Sequence, residues 1–418
     1  MRKAQVVLMV VVSLVLLYGQ NSQASTVSVG LCLPALPHFS TIQAAINASA
    51  QGGTVLVCPG VYPEKLSIFH PLTIKGVNNS GSNMALITMP SGGIGVQVYV
   101  QATGVNLSDL TIDGSNNGAT FCGQGPTGIE YVDSSGIINH VAVRNQVPSG
   151  PGLQGCFDGI GIVVTSFSFA ASVTIENSTL HSWQIEGIDA ANRGTNVTIK
   201  GNFIGGNAAG PGGNGIRIDF GATATVTGNT VSNVNEPVSY PNLNGAGFGI
   251  LVQCSQGVTL SGNTVADTQV GIVVDSAFCN GTSGNSDGNT VIANQVSQTH
   301  LFDAVYVCGN YNLVKKNIIA SASEAGVNID SSCQPPGVSG LFNNVNANTV
   351  NEACTLTLQD PAVVGSNTVG SNIGYSLSFD QLTGTIPLPA GTCSNAPAAP
   401  GYSRASNSQR FQALQILR

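Results

Sequence analysis

Asp189, Arg217 and Asp219 are the residues most capable of chemistry in a chain that has little charge to spare. Lys and Arg number 13 and Asp and Glu 20 among 418 residues. Asp189 follows Gly187 in Gly-Ile-Asp-Ala, and Arg217 and Asp219 follow Gly215 in Gly-Ile-Arg-Ile-Asp. Two acids flanking a cation can serve as general acid and base on a glycosidic bond. Alternatively, the acids hold Ca2+ while Arg217 takes a proton alpha to a uronate carboxylate, as in a lyase. The bland alternative is a surface ion pair worth under ~1 kcal/mol. Candidate substrate-binding residues nearby are Trp183, the only tryptophan, with His181, Arg193 and Glu130. An exposed indole would stack on a sugar face, and the alternative is an indole buried in the core. A second patch joins Asp275, Asp303, Tyr306 and Asp330.

These residues lie on a repeating element. Gly215 to Val231 reads GIRIDFGATATVTGNTV, two short alternating runs joined by a small-residue corner, the pattern of strands with one buried face. Related starts recur at Gly95, Gly128, Gly161, Gly187, Gly249, Gly271, Ala304 and Gly326, spaced 22 to 34 residues apart. Strands keep their register while corners absorb such unequal steps, so the repeat predicts a right-handed β-solenoid. The second position after each glycine points outward, giving the column Gln97, Glu130, Val163, Asp189, Arg217, Leu251, Val273, Tyr306 and Asn328. Stacking thus places Asp189 beside Arg217 on an exposed groove. A recurring Asn (139, 177, 202, 229, 263, 289, 317, 348) is assigned to left-handed corners whose side chains bond up the column.

Ten cysteines without a Cys-x-x-Cys pair point to disulfides in an oxidising compartment. Matching offsets pair Cys254 with Cys279 and Cys308 with Cys333; neighbourhood pairs Cys32 with Cys58, Cys122 with Cys156 and Cys354 with Cys393. Residues 1–24 read as an export signal, with Arg2 and Lys3 ahead of an apolar stretch, so the protein is expected to be secreted or periplasmic. Residues 25–53 read as a cap, with a helix started by a Ser40 to Gln43 capping box. Residues 54–370 read as the all-β solenoid and 371–418 as a C-terminal cap and loose tail. A net charge of −7 with no basic run disfavours nucleic acid as a partner, and no apolar run after residue 24 is long enough to span a membrane. A monomer is expected.

The stretch from Phe39 to Ile68, with Gly60-Val61-Tyr62-Pro63-Glu64, resembles the opening of pectin methylesterases and related carbohydrate enzymes. Residues 38 to 370 as a whole resemble the right-handed parallel β-helix, or pectin-lyase-like, superfamily. The resemblance implies that fold and a polysaccharide-related setting, and in that superfamily the Gly-x-Tyr-x-Glu motif is a structural entry to the first coil. The Asp-Phe-Ile-Phe-Gly, Gly-His-Gly and Asp-Pro-His-Asp elements of its esterases, polygalacturonases and alginate epimerases are missing. The expected function is action on polysaccharide as a glycosidase or uronate lyase, and the alternative is a non-catalytic glycan-binding or structural rod. No cofactor is evident; the lyase alternative would bring in Ca2+.

Overall fold

No single coil of Val, Ile, Thr and Gly buries a core by itself, and the computed structural model shows many coils doing it together. It describes residues 25–77, 85–150, 152–153, 158–206, 213–235, 247–277, 279, 285–300, 303–322, 325–331, 333, 339–353, 355–359 and 363–376. Among these, strands stack in three parallel sheets of eleven, fourteen and twelve strands, here called I, II and III. A typical coil passes from Thr127–Val132 in sheet I to Ser135–Asn139 in sheet II and Ala142–Gln146 in sheet III. The chain then returns to sheet I at Ile160–Thr165, directly against the previous strand. The fold is a parallel β-solenoid, with Ile188, Ile216, Ile250 and Ile272 stacked in its buried interior.

The register matches the expected columns from Glu130 upward. Asp189 lies opposite Arg217 and Ala191 opposite Asp219. The first unit differs: Tyr99, not Gln97, lies opposite Glu130. Gln97 is buried, and its amide donates to the carbonyls of Ile87 (2.9 Å) and Asp113 (3.3 Å). The run VQVYV alternates with period two, so a slip of two residues leaves its pattern unchanged.

The asparagines form two ladders rather than one. Asn202, Asn229, Asn263, Asn294, Asn317, Asn348 and Asn372 follow one another up the stack between sheets II and III. Each Nδ2 donates to the next Oδ1 at 2.9–3.0 Å. The left-handed residue is the one before each, including Gly228 (φ 62°), Gly262 (φ 63°) and Ala293 (φ 55°), whereas Asn177 is itself left-handed and exposed. Asn289 belongs to the second ladder, between sheets I and II. There the backbone N–H groups of Asn289, Asn312 and Asn343 each donate to the Oδ1 of the next member, ending at Asn367, all at 2.8 Å.

At the N-terminal end, the helix Ile42–Ala48 is capped by Thr41, whose Oγ1 accepts from Ala44 N–H at 3.2 Å. The expected Ser40 to Gln43 box does not form. Glu64 takes its place, accepting the N–H groups of Ile42 (2.8 Å) and Gln43 (3.0 Å) on its two oxygens. A carboxylate is the better partner for the positive end of the helix. With Tyr62 Oη donating to Cys58 O at 2.8 Å, the Gly-x-Tyr-x-Glu stretch is structural. Sheet II already includes Thr26–Val29 and His38–Phe39, and sheet III continues to Ile373–Ser376, so the solenoid overruns both boundaries read from the sequence.

Disulfides join Cys32–Cys58, Cys254–Cys279 and Cys308–Cys333 as expected. Cys122 is disulfide-bonded, while Cys156, Cys354 and Cys393 lie outside the described residues, as do the 1–24 segment and the tail beyond 376. These bridges suit an extracytoplasmic, oxidising setting. No described helix is long and apolar enough to cross a membrane.

The outer face of sheet I is only partly a groove. Tyr99, Glu130, Val163 and Asp189 keep some exposure. From Arg217 upward the face is closed, and Phe248, Leu251, Val270, Val273 and Tyr306 form a second buried apolar cluster. The patch of Asp275, Asp303, Tyr306 and Asp330 is therefore interior, with exposures of 0, 1, 7 and 4%. Burial, with Asp330 adding to it, pushes the Asp275 carboxyl up to about 7, against hydrogen bonds from Ala277 and Gln253. Between the unfolded value near 3.8 and this folded value the native state holds the extra proton, so stability falls as pH rises through that window. Asp275→Asn is expected to raise Tm at pH 8, by the equivalent of about 2–4 kcal/mol, and to leave it nearly unchanged at pH 4. Thermal melts at the two pH values check this.

Candidate active site

The strand Asn214–Asp219 is buried along its whole length, and its outward side chains meet those of the strand below, Glu186–Ala191. Gly187 and Gly215 make this possible. A Cβ at Gly215 would stand 2.4 Å from Val231 Cγ1 and 2.6 Å from the Gly249 carbonyl. At each of these glycines the strand kinks, turning both the residue before the glycine and the second residue after it outward. Glu186 therefore joins Asp189 on the outer face, and Asn214 joins Arg217.

Arg217 is the hub. Its Nη1 donates to Glu186 Oε1 at 3.0 Å, and its Nη2 reaches Asp219 Oδ2 at 2.8 Å and Gln253 Oε1 at 3.2 Å. Its guanidinium carbon lies 5.8 Å from the centre of the Phe220 ring. Phe220 is held at φ 49°, a conformation that bulky residues rarely adopt and that tends to be retained at functional sites. Glu186 and Asp219 are each 2% exposed and Arg217 9%. Asp189 sits at the mouth, partly exposed, with its Oδ1 buried and unpartnered.

Three carboxylates around one guanidinium would carry −2 if all were ionised, which burial opposes. Burial is the main cause holding Asp189 well above the usual carboxylate range, with Asp219 and Glu186 adding repulsion. Asp219 is pushed up to about 7, burial again outweighing the pull of Arg217. Glu186 is raised for the same reason. Arg217 is raised instead, because the surrounding acids favour its charge over the cost of its burial. The cluster thus keeps a proton on a carboxyl near neutral pH beside a carboxylate fixed by Arg217.

The other expected site residues are not all brought here. Trp183 is 1% exposed, packed inside the solenoid, and offers no face to an external sugar. Its strand alternates as far as His181, which points out, and left-handed Ser182 (φ 58°) then breaks the alternation and turns the indole inward. His181 is exposed on sheet III against Phe203, with rings 5.4 Å apart, on a different face from Asp189. Arg193 is exposed at the corner after Ala191, and the ion pairs of the cluster run through Arg217 instead. Glu130 is on the correct face, two coils below Asp189, with its pKa raised by burial. Sequence reasoning missed Glu186, Gln253 and Phe220. It also missed Phe167 and Phe169, which are 72% and 74% exposed at the corner after Ile160–Thr165. The Asp133 carboxylate fixes that corner by accepting the N–H groups of Phe167, Ser168 and Phe169.

As a Ca2+ site the donor set does not fit, because the guanidinium already occupies the space between Glu186 and Asp219. Among the described residues, the one trio of metal-capable side chains is Asp275, Cys308 and Cys333, and both cysteines are tied in a disulfide.

The stacked sheets and this outer face define a class of protein. Residues 78–299 match the family described as the right handed beta helix region, and the chain belongs to that family. Solved structures share the fold at low identity. The GH136 lacto-N-biosidase from Eubacterium ramulus aligns with a TM-score of 0.62 at 13% identity, covering 84% of this chain and 68% of that one. The catalytic unit of the thermostable GH87 alpha-1,3-glucanase from Streptomyces thermodiastaticus strain HF3-3 gives 0.55 at 18%, covering 89% and 72%. The PL6 family alginate lyase AlyGC gives 0.53 at 13%, covering 84% of this chain and 51% of that one. No curated protein matches the chain.

Proposed function

We propose that this chain is an exported glycoside hydrolase that acts on a neutral polysaccharide over Asp189, on the open part of the outer face of sheet I. The observation that carries the reading is the gathering of Glu186, Asp189 and Asp219 around the buried guanidinium of Arg217, with Asp189 at the exposed mouth. Asp189, at the mouth and held protonated, gives its proton to the glycosidic oxygen as the bond from that oxygen to the anomeric carbon breaks. A water bonds to the anomeric carbon and releases its proton to solvent, leaving a new reducing end, while Asp219, buried and paired with Arg217, helps to keep Asp189 protonated. Asp189 and Asp219 sit one coil and two residues apart, roughly 8 Å between backbone positions from the usual strand spacing and rise.

Two features favour hydrolysis over lyase chemistry. Arg217 is held charged by its acids and has no capacity to accept a proton. A site with an excess of carboxylates also repels a uronate chain. The disulfides support action outside the cytosol, and the carbohydrate enzymes that share the fold agree with a polysaccharide substrate. The rival rod is favoured by one observation, the near-complete burial of Arg217 and Asp219, which a structural ion network would also show.

A panel of neutral and uronate polysaccharides, incubated with the protein in EDTA, separates these readings. Release of reducing ends from a neutral member without unsaturated uronate absorbance is expected. Unsaturated products, or no cleavage of any member, would overturn the proposal. On the substrate found, the rate should fall as Asp189 loses its proton, at a pH well above the usual carboxylate range.

A further inference from the structure

High on the solenoid, at the corner between sheets I and II, two aromatic rings lie outside the protein and against each other. Tyr311 is 63% exposed and Phe342 53%. Their ring centres are 5.1 Å apart and their planes differ by 18°. Each directly precedes a member of the second asparagine ladder, Asn312 and Asn343, so they occupy equivalent positions on adjacent coils.

Their backbone is unusual for aromatic residues. Tyr311 is held at φ 57° and Phe342 at φ 58°. At the same corner of the two coils below, the equivalent residues are Gly257 (φ 68°) and Gly288 (φ 67°). Glycine takes this conformation without strain and a bulky side chain does not. The ladder pins both corners, so the strain cannot relax there. Aromatic residues that destabilise their own corner and gain no burial are poorly explained as packing.

The two glycines below also leave space. A Cβ at Gly257 or Gly288 would have nothing within 4 Å. The face of the Tyr311 ring turned away from Phe342 therefore borders open space over two coils that carry no side chain at this corner, roughly 9.6 Å by strand spacing. A flat, weakly polar ring fits such a face, and the C–H face of a pyranose is of that kind.

We propose that Tyr311 and Phe342 form a second glycan-binding site, a stacking platform on which one pyranose of a neutral polysaccharide rests against Tyr311 above Gly288. Tyr306, in the strand that leads into this corner, is four coils above Asp189, so the platform is roughly 19 Å along the axis from the cluster. On the reading of the cluster as a hydrolase, it would hold a long polysaccharide chain that the cluster cleaves elsewhere.

Affinity electrophoresis tests this, with mixed-linkage β-glucan, xyloglucan or galactomannan cast in native gels. Asp189→Asn serves as the parent, so that binding is read without hydrolysis and independently of whether the chain cleaves anything. At least one polysaccharide should retard the parent. Tyr311→Gly and Phe342→Ala should each weaken that retardation at least tenfold, while Tyr311→Gly keeps or raises Tm because glycine relieves the strain. The proposal is overturned if no polysaccharide retards the parent, or if Tyr311→Gly is retarded equally. A fall in Tm for Tyr311→Gly would also overturn it, marking the pair as a packing device.

Discussion

Arg217→Met should destabilise the protein by about 3–5 kcal/mol at pH 8, the cost expected when one partner of a buried charge pair is removed. Met fills much of the volume, so the loss comes from electrostatics rather than from a cavity. Without the guanidinium, Glu186, Asp189 and Asp219 face one another with no counter-charge, and all three are pushed further towards their protonated forms. The sign of the pH dependence follows. At pH 4 the carboxyls are largely neutral in the variant and little repulsion remains, so the gap to the wild type should narrow; at pH 8 it should be widest. Thermal melts across that range measure it. A variant equally stable at every pH would show that the charges around Arg217 are not coupled, and the acid–base reading would lose its physical basis.

Gly249→Ala should cost about 3 kcal/mol, at the upper end for forcing extra volume into a packed core. The added methyl would stand 2.3 Å from Val265 Cγ1 inside the coil and 2.7 Å from the carbonyl of Gly271 on the next. Neither a neighbouring strand's backbone nor a Val held on both sides can retreat far. Ala304 occupies the same column where the stack continues, so the prediction concerns the local fit of Gly249 rather than a rule for every coil. A denaturant midpoint within error of the wild type would contradict it. Asp189 and Arg217 are on other coils, so this variant tests the frame and not the chemistry.

The frame was largely legible in the sequence because its rules are local. Alternation fixes which residues face the core, and the glycine starts fixed the register from Glu130 to Asn328. The same alternation hid the slip at Gln97, since period two does not distinguish Gln97 from Tyr99. The Asp189–Arg217–Asp219 adjacency was legible for the same reason that the fold was. Glu186 was not, because it precedes the glycine that marked each start, and only the kink at Gly187 turns it to the outer face. Exposure was the least legible property. Leu251 and Val273 point outward yet are buried, so the groove ends at Arg217 instead of running the length of the sheet. The side taken by Trp183 was open between groove and core for want of the strand phase through His181, Ser182 and Trp183, where Ser182 is left-handed (φ 58°). The apolar residues that follow Arg217 up the column, Leu251 and Val273, were the available signal that the face closes.

The central claim is that Asp189 supplies the proton for cleavage from within the Arg217 cluster. Its most direct test is reducing-end release from the neutral polysaccharide that the wild type cleaves, compared between wild type and Asp189→Asn at equal concentration and confirmed fold. Asn is close to isosteric and has no proton to give. The account predicts a rate loss of about 10² to 10⁴-fold, the usual contribution of a positioned general acid, with Tm at least as high as that of the wild type. An Asp189→Asn protein that cleaves at the wild-type rate would contradict it.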